Sequence, residues 1–381
     1  MPKRRYNQLT MLQLLKNLIK ADSTLKNGEV DAANALAQYF DSHNIPCSID
    51  KWDNSRANCT AHIASTGQKP ALLFAAHLDV VPPGDEKWQF PPFSGDQQDG
   101  KILGRGATDM KAGIAATAAA IAETLNENHD LKGDIIFTAT AGEETDSCGI
   151  KRFMQNHAEN LPTIAGIIIP EPTNFQIVTA HRGILWLKIA TKGKTAHGST
   201  PDLGINAITH MTTLLNHLEN LKLKYTTHPR LGECSMSINQ IKGGNATNVI
   251  PDNCTISIDI RTLPNQPHQN IMDQFQEIFD QLKQKDEQFQ AKIETERSVP
   301  AMESDDNCEF IKQFCKVTGI EKTNAVGYTT DASFMTELNT PIAIFGPGDT
   351  KACHKPNEYI EIADIEKGKQ HLKNIIKTFL T

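Results

Sequence analysis

The chain has 381 residues, 39% hydrophobic and 22% charged, and its 38 Lys and Arg against 45 Asp and Glu give a net charge of −7. That balance argues against nucleic acid as the main partner, because binding phosphates asks for a basic face. No stretch approaches the roughly 18 apolar residues of a membrane span, and the length suits two hydrophobic cores better than one.

In chain order, the basic start MPKRR runs straight into an amphipathic pattern, without the apolar segment and small-residue cleavage site of a secretory signal. Helices are expected over 8–21 and 29–43. LLFAA (72–76) reads as a buried strand, AGIAATAAAIAETL (112–125) as an Ala-rich helix and DIIFTAT (134–140) as a strand. GIKRFMQN (149–156) is helical again and IAGIIIP (164–170) is a strand. Strands alternating with helices imply a mainly parallel sheet covered on both faces.

The middle of the chain changes style. ILWLKIATKG (184–193) is a strand, GINAITHMTTLLNHLENL (204–221) a helix, and SMSINQIKG (235–243) and CTISIDIRT (254–262) are strands. NIMDQFQEIFDQLKQK (270–285) is a helix and FQAKIETER (289–297) a last strand. That order is β-α-β-β-α-β, a ferredoxin-like α+β sandwich. After it the α/β style returns with CEFIKQFCKVTG (308–319), TPIAIFG (340–346) and a helix at 362–379. The expected organisation is therefore α/β, with a discontinuous larger domain at 1–180 and 298–381 and an inserted α+β domain at 181–297. The eight cysteines, Cys47, Cys59, Cys148, Cys234, Cys254, Cys308, Cys315 and Cys353, form no CxxC pair and read as reduced thiols of a cytoplasmic protein.

Each strand of the larger domain is followed by chemistry. His77 and Asp79 follow LLFAA, and Asp109 precedes the Ala-rich helix. Glu143 and Glu144 follow DIIFTAT, Glu171 follows IAGIIIP, and His354 lies in the loop after TPIAIFG. Ligands of open α/β sheets bind at the carboxyl ends of the strands, so the sheet itself gathers these residues. Two imidazoles with several carboxylates suit borderline divalent ions such as Zn²⁺, with Co²⁺ or Mn²⁺ as substitutes. Five ligands for two ions require one to bridge, which a carboxylate can do and a neutral imidazole cannot. Adjacent glutamates then divide two tasks, one binding metal and the other moving the proton of the attacking water.

HLDVVPPGD, GRGATDMKAG, TAGEE, PEPT, AHGSTPDLGINAI, NVIPD and ACHKPNEY resemble, in order and spacing, the acetylornithine deacetylase / succinyl-diaminopimelate desuccinylase / aminoacylase family of co-catalytic metallohydrolases. The resemblance implies two Zn²⁺, one held by His77 and Glu171 and the other by Glu144 and His354, with Asp109 bridging. It makes Glu143 the general base and Asp79 the carboxylate that orients His77. It also implies that the inserted domain is a lid carrying a homodimer interface. There His197 stabilises the tetrahedral oxyanion across the dimer, and Asn248 and Arg261 contact the substrate, an Arg fork suiting a carboxylate. Thr329 and Thr330 occupy the corresponding substrate loop. The implied partner is a small N-acyl amino acid, with neither nucleic acid nor membrane involved.

GRGATDMKAG and DVVPPGD sit nearer the desuccinylase branch, whereas Gly327-Tyr328-Thr329-Thr330-Asp331 replaces the Gly-Gly-Thr-Ser-Asp of many desuccinylases, which also carry Tyr near Thr200. Acetylornithine deacetylase, a broad aminoacylase or a dipeptidase are the competitors within the class, and a non-catalytic metal- or peptide-binding relative is the competitor outside it. Nucleotide and serine-hydrolase chemistry find no support: KGKT (192–195) lacks the upstream Gly of a phosphate loop, GRGATD lacks the third Gly of a dinucleotide fingerprint, and no GxSxG is present.

Overall fold

A computed structural model describes residues 8–127 and 130–381; the basic residues at 1–5 lie outside that range. The chain divides into two compact units. One runs to Thr179 and resumes over Ser304–Asn324 and Thr330–Thr381, and the other comprises Ala180–Glu303 with Ala325–Thr329.

The first unit is built on a mixed sheet in the order Cys47–Trp52, Arg56–Ile63, Ile135–Thr140, Ala71–His77, Ile164–Ile169, Ile342–Ile344 and Ile177–His181. The four strands from Ile135–Thr140 to Ile342–Ile344 run parallel, and the neighbours on either flank are antiparallel. Every residue of Ala71–His77 and Ile135–Thr140 is buried, the unbroken burial of strands covered on both faces. Leu14, Phe40, Phe74, Ile114, Phe137, Phe314 and Ile376 belong to one continuous core. The Ala-rich helix Ala112–Asn126 is buried nearly all round and packs on the C-terminal helix Ile362–Leu380, because small side chains let the two backbones approach. The pair Cys47–Trp52 and Arg56–Ile63 carries no apolar run, so sequence pattern alone does not reveal it as part of the sheet.

The second unit is a four-stranded antiparallel sheet in the order Ser235–Gly243, Asn253–Thr262, Gly183–Lys192 and Gln290–Val299. Two interleaved split β-α-β passes generate that order, through Ala207–Leu218 and His268–Lys285. Asn253–Thr262 alternates buried and half-buried residues along its whole length, as a sheet with one covered face requires. Its core joins Leu185, Leu187, Ile189, Ile256, Ile258 and Ile260 to Met211, Leu214 and Phe275. The edge strand Ser235–Gly243 is exposed along nearly all of its length. Among the described residues no helix is long and apolar enough to cross a membrane.

Candidate metal centre

Parallel registration aligns the strand ends that build the site. His77, the last residue of its strand, pairs with Thr140, the last of the next, so the chain beyond Thr140 emerges beside His77. The turn there depends on Gly142 at φ +80°, where a Cβ would stand 2.5 Å from Arg56 Nη2 and 2.6 Å from Asp146 Oδ1. Asn58 holds the same turn from the adjacent strand: its Oδ1 accepts the Ala141 N–H at 3.0 Å and its Nδ2 donates to the Gly149 carbonyl at 2.8 Å.

Asp79 anchors the two glutamates directly. One of its oxygens accepts the Glu143 N–H and the other the Glu144 N–H, each at 3.0 Å. The Nδ1 of His77 lies 2.9 Å from the Asp79 backbone carbonyl and 3.6 Å from its carboxylate. A carbonyl only accepts, so Nδ1 carries a proton and Nε2 is the nitrogen that faces the site. Asp79 thus orients His77 through its main chain and the Glu143-Glu144 segment through its side chain.

The five residues expected as ligands come together in two triads. His77, Asp109 and Glu171 form one, and Asp109, Glu144 and His354 the other, with ligand atoms in each lying within 4.8 Å of one another. Asp109 is shared atom by atom: Oδ1 is 3.2 Å from His77 Nε2, and Oδ2 is 3.2 Å from His354 Nε2. Glu171 Oε1 lies 3.6 Å from His77 Nε2, and Glu144 Oε1 lies 2.9 Å from His354 Nε2. His77, Glu143 and Glu171 are buried, whereas the His354 side chain is 53% exposed and forms the open side.

The electrostatics are those of crowded carboxylates. Burial raises Glu143 and Glu171 well above the usual carboxylate range, and in both cases only His77 pulls the other way among the leading influences. Burial would raise Asp109 as well, but hydrogen bonds from His354 and His77 outweigh it and hold that carboxyl low. Those hydrogen bonds, with Asp109 and then Glu144, push His354 up to about 10. Such a cluster suits divalent cations, which neutralise the carboxylates that two imidazoles serve only in part. One imidazole nitrogen and two carboxylates per triad, with a carboxylate spanning both, is a donor set that fits a pair of Zn²⁺-like ions.

A small cavity beneath the centre is lined by Thr140, Glu143, Glu171 and Asp331. Asp331, not singled out by sequence reasoning, is buried, accepts the Thr140 hydroxyl at 3.4 Å, and is raised by burial to about 7. Its position before the helix Ala332–Met335 disguises it as a helix cap.

The remaining expected residues belong to the second unit, except Thr330. His197 bridges to Val249 in antiparallel fashion, and the Gly198 N–H donates to the Asn248 carbonyl at 2.8 Å, so His197 and Asn248 lie on adjoining segments. His197 Nδ1 accepts the Ser199 N–H at 3.1 Å, which leaves Nε2–H as the outward donor. The Arg261 fork is held by Asp259 on the same strand, at 2.9 and 3.1 Å. The Thr329 hydroxyl donates to the Arg182 carbonyl at 2.7 Å, and Thr330 is buried with its hydroxyl accepting the Ala332 N–H at 3.2 Å.

Residues 73–378 match peptidase family M20/M25/M40. The chain is 30% identical to a protein of Staphylococcus aureus (strain MRSA252) named probable succinyl-diaminopimelate desuccinylase, over 93% of this chain and 94% of that one. It is also 30% identical to the acetylornithine deacetylase of Proteus mirabilis (strain HI4320), over 97% of each. Its fold is shared with the M20 family metallo-carboxypeptidase Sso-CP2 of Sulfolobus solfataricus, at a TM-score of 0.78, 19% identity and coverage of 97% and 99% of the two chains. The chain belongs to peptidase family M20/M25/M40 and is a hydrolase of that family.

Proposed function

We propose that this family member is an amidohydrolase that carries two divalent cations, Zn²⁺ in the first instance with Co²⁺ or Mn²⁺ as substitutes, and removes the acyl group from an N-acyl amino acid. The observation that carries the reading is the pair of triads sharing Asp109, with Glu143 held beside them by the same Asp79 that holds Glu144. His77 and Glu171 would hold one ion and Glu144 and His354 the other, with Asp109 between them. The ions, when bound, polarise the scissile carbonyl and acidify water at neutral pH.

The protein's own groups do the rest. Glu143, buried and fixed by its backbone N–H on Asp79, takes the proton of the attacking water and returns it to the leaving amine nitrogen. His197, with Nε2–H turned outward, donates to the tetrahedral oxyanion in a homodimer. Asn248 and Arg261 bind the substrate, Asp259 presenting the Arg261 fork in one orientation for a carboxylate. Thr329 and Thr330 shape the loop beside them. The dimer reading draws on the second unit's exposed apolar side chains Leu203, Ile208, Ile238, Ile241 and Val249, which include two on its edge strand. The eight free thiols accord with a cytoplasmic setting.

Within this class the substrate we favour is N-succinyl-LL-2,6-diaminopimelate, giving succinate and LL-2,6-diaminopimelate for lysine biosynthesis, in line with the Staphylococcus aureus relative. Acetylornithine is the second reading, because the Proteus mirabilis relative is equally identical and the Tyr328-Thr329-Thr330 segment departs from the desuccinylase pattern. The test is release of free amine from the two substrates side by side by Zn²⁺-loaded protein, with and without a chelator. Chelator-sensitive turnover of the succinyl substrate alone is the expected result. Preference for the acetyl substrate would transfer the assignment, and chelator-resistant turnover would overturn the two-cation reading.

A further inference from the structure

Glu358 follows His354 by four residues and is 1% exposed. Its carboxylate is fully engaged: Oε1 accepts the Thr108 N–H at 2.9 Å and the Asp109 N–H at 3.1 Å, while Oε2 accepts Arg105 Nη1 at 2.6 Å. The surrounding main chain is zipped as well. The Gly104 N–H donates to the Glu358 carbonyl at 2.9 Å, the Thr108 hydroxyl to the Tyr359 carbonyl at 2.5 Å, and Tyr359–Glu361 pairs antiparallel with Lys101–Leu103. One buried side chain therefore ties the segment carrying Asp109 to the segment carrying His354, across about 250 residues of sequence.

Two further observations give that knot a purpose. Asp109 is the residue whose two oxygens face both triads, so a shift of its backbone displaces both at once. His354 sits at φ +61°, in the left-handed region that residues with a Cβ adopt uncommonly. The grip of Glu358 on Thr108 and Asp109 also repeats the grip of Asp79 on Glu143 and Glu144: a buried carboxylate accepts two successive peptide N–H groups at the point where a ligand projects.

We propose that Glu358, braced by Arg105, is a positioning residue for both cation sites, fixing the backbone from which the shared Asp109 projects and the turn that presents His354. Geometry, and not added negative charge, is its contribution, since the Arg105 guanidinium at 2.6 Å offsets the charge locally. The inference rests on the two-cation reading above.

Titration of the metal-free full-length protein with Co²⁺ alone, followed by calorimetry and by the visible absorption of the bound ion, tests both separately. The native protein is expected to take up two Co²⁺, His354→Ala to lose one site selectively, and Glu358→Asp to weaken both by about 10- to 100-fold. The shortened carboxylate keeps the charge but cannot reach Arg105 and both N–H groups together. Glu358→Gln keeps an acceptor oxygen of the right length and retains more affinity than Glu358→Asp. Native uptake of fewer than two Co²⁺ would sink the two-cation reading and this inference with it. Native uptake of two with Glu358→Asp unchanged would sink this inference alone, and so would Glu358→Gln falling below Glu358→Asp, which would make charge the cause. If Glu358→Asp does not fold, Arg105→Lys reads the same quantity with Glu358 in place: a several-fold weakening of both sites supports the role, and unchanged binding at both overturns it.

Discussion

The two units hold their candidate functional groups differently. In the first, His77, Glu143, Glu171 and Asp79 are buried, and buried side-chain acceptors fix the backbone from which the key carboxylates project. In the second, His197 and Asn248 lie on exposed segments, and His197 is held by Ser199, two residues away. A multi-ligand ion centre of the kind proposed would tolerate little displacement, and the backbones of Asp109, Glu143 and Glu144 are each held by a carboxylate distant in sequence. If these groups meet a substrate as proposed, they do so from an exposed surface, where the main-chain bridge of His197 to Val249 joins the two segments and the imidazole itself is oriented locally.

That contrast can be broken at several points. The largest effect is expected from Glu143→Gln, which removes the proton acceptor while leaving both triads intact. Turnover should fall by about 10²- to 10⁴-fold with unchanged metal content by atomic absorption; a variant that keeps its rate would remove Glu143 from the reaction. His197→Ala should lower kcat by about 10²- to 10³-fold with metal content and melting temperature preserved, as expected for loss of one oxyanion donor. If metal content falls instead, the separation between buried ligands and exposed donor fails.

Gly142→Ala asks whether the buried unit is as intolerant as its contacts imply. A side chain at φ +80° facing Arg56 Nη2 and Asp146 Oδ1 should cost about 1–3 kcal/mol in denaturant unfolding and reduce metal affinity along with it. The smallest change in folding stability is expected from Ile241→Asp on the exposed edge strand. It should shift sedimentation towards monomer while altering unfolding free energy by no more than about 0.5 kcal/mol. An unchanged oligomeric state would place any dimer contact away from that edge.

Much of the centre is legible in the residues themselves. His77, Glu143, Glu144 and Glu171 each follow an apolar run within a few residues, and a parallel sheet places such positions on one rim. The split β-α-β passes of the second unit are equally readable, because period-2 strands and period-3.6 helices alternate there. The strands Cys47–Trp52 and Arg56–Ile63 are not readable, since their polar residues suit a flank of the sheet and mimic a loop.

Sequence by itself determined which residue types stand at the strand ends, and so the chemistry open to this protein. Tertiary structure alone decided the division of labour among them. It assigned each Asp109 oxygen to a different imidazole, turned the Asp79 carboxylate onto two peptide N–H groups while its carbonyl took His77, and buried Asp331 against Thr140. It also set Glu358 beneath Asp109. The physical reason is range: strand and helix periodicity is a local property of the chain, whereas these bonds, the His77 contact with the Asp79 carbonyl excepted, join residues tens to hundreds of positions apart and exist only once the core has packed.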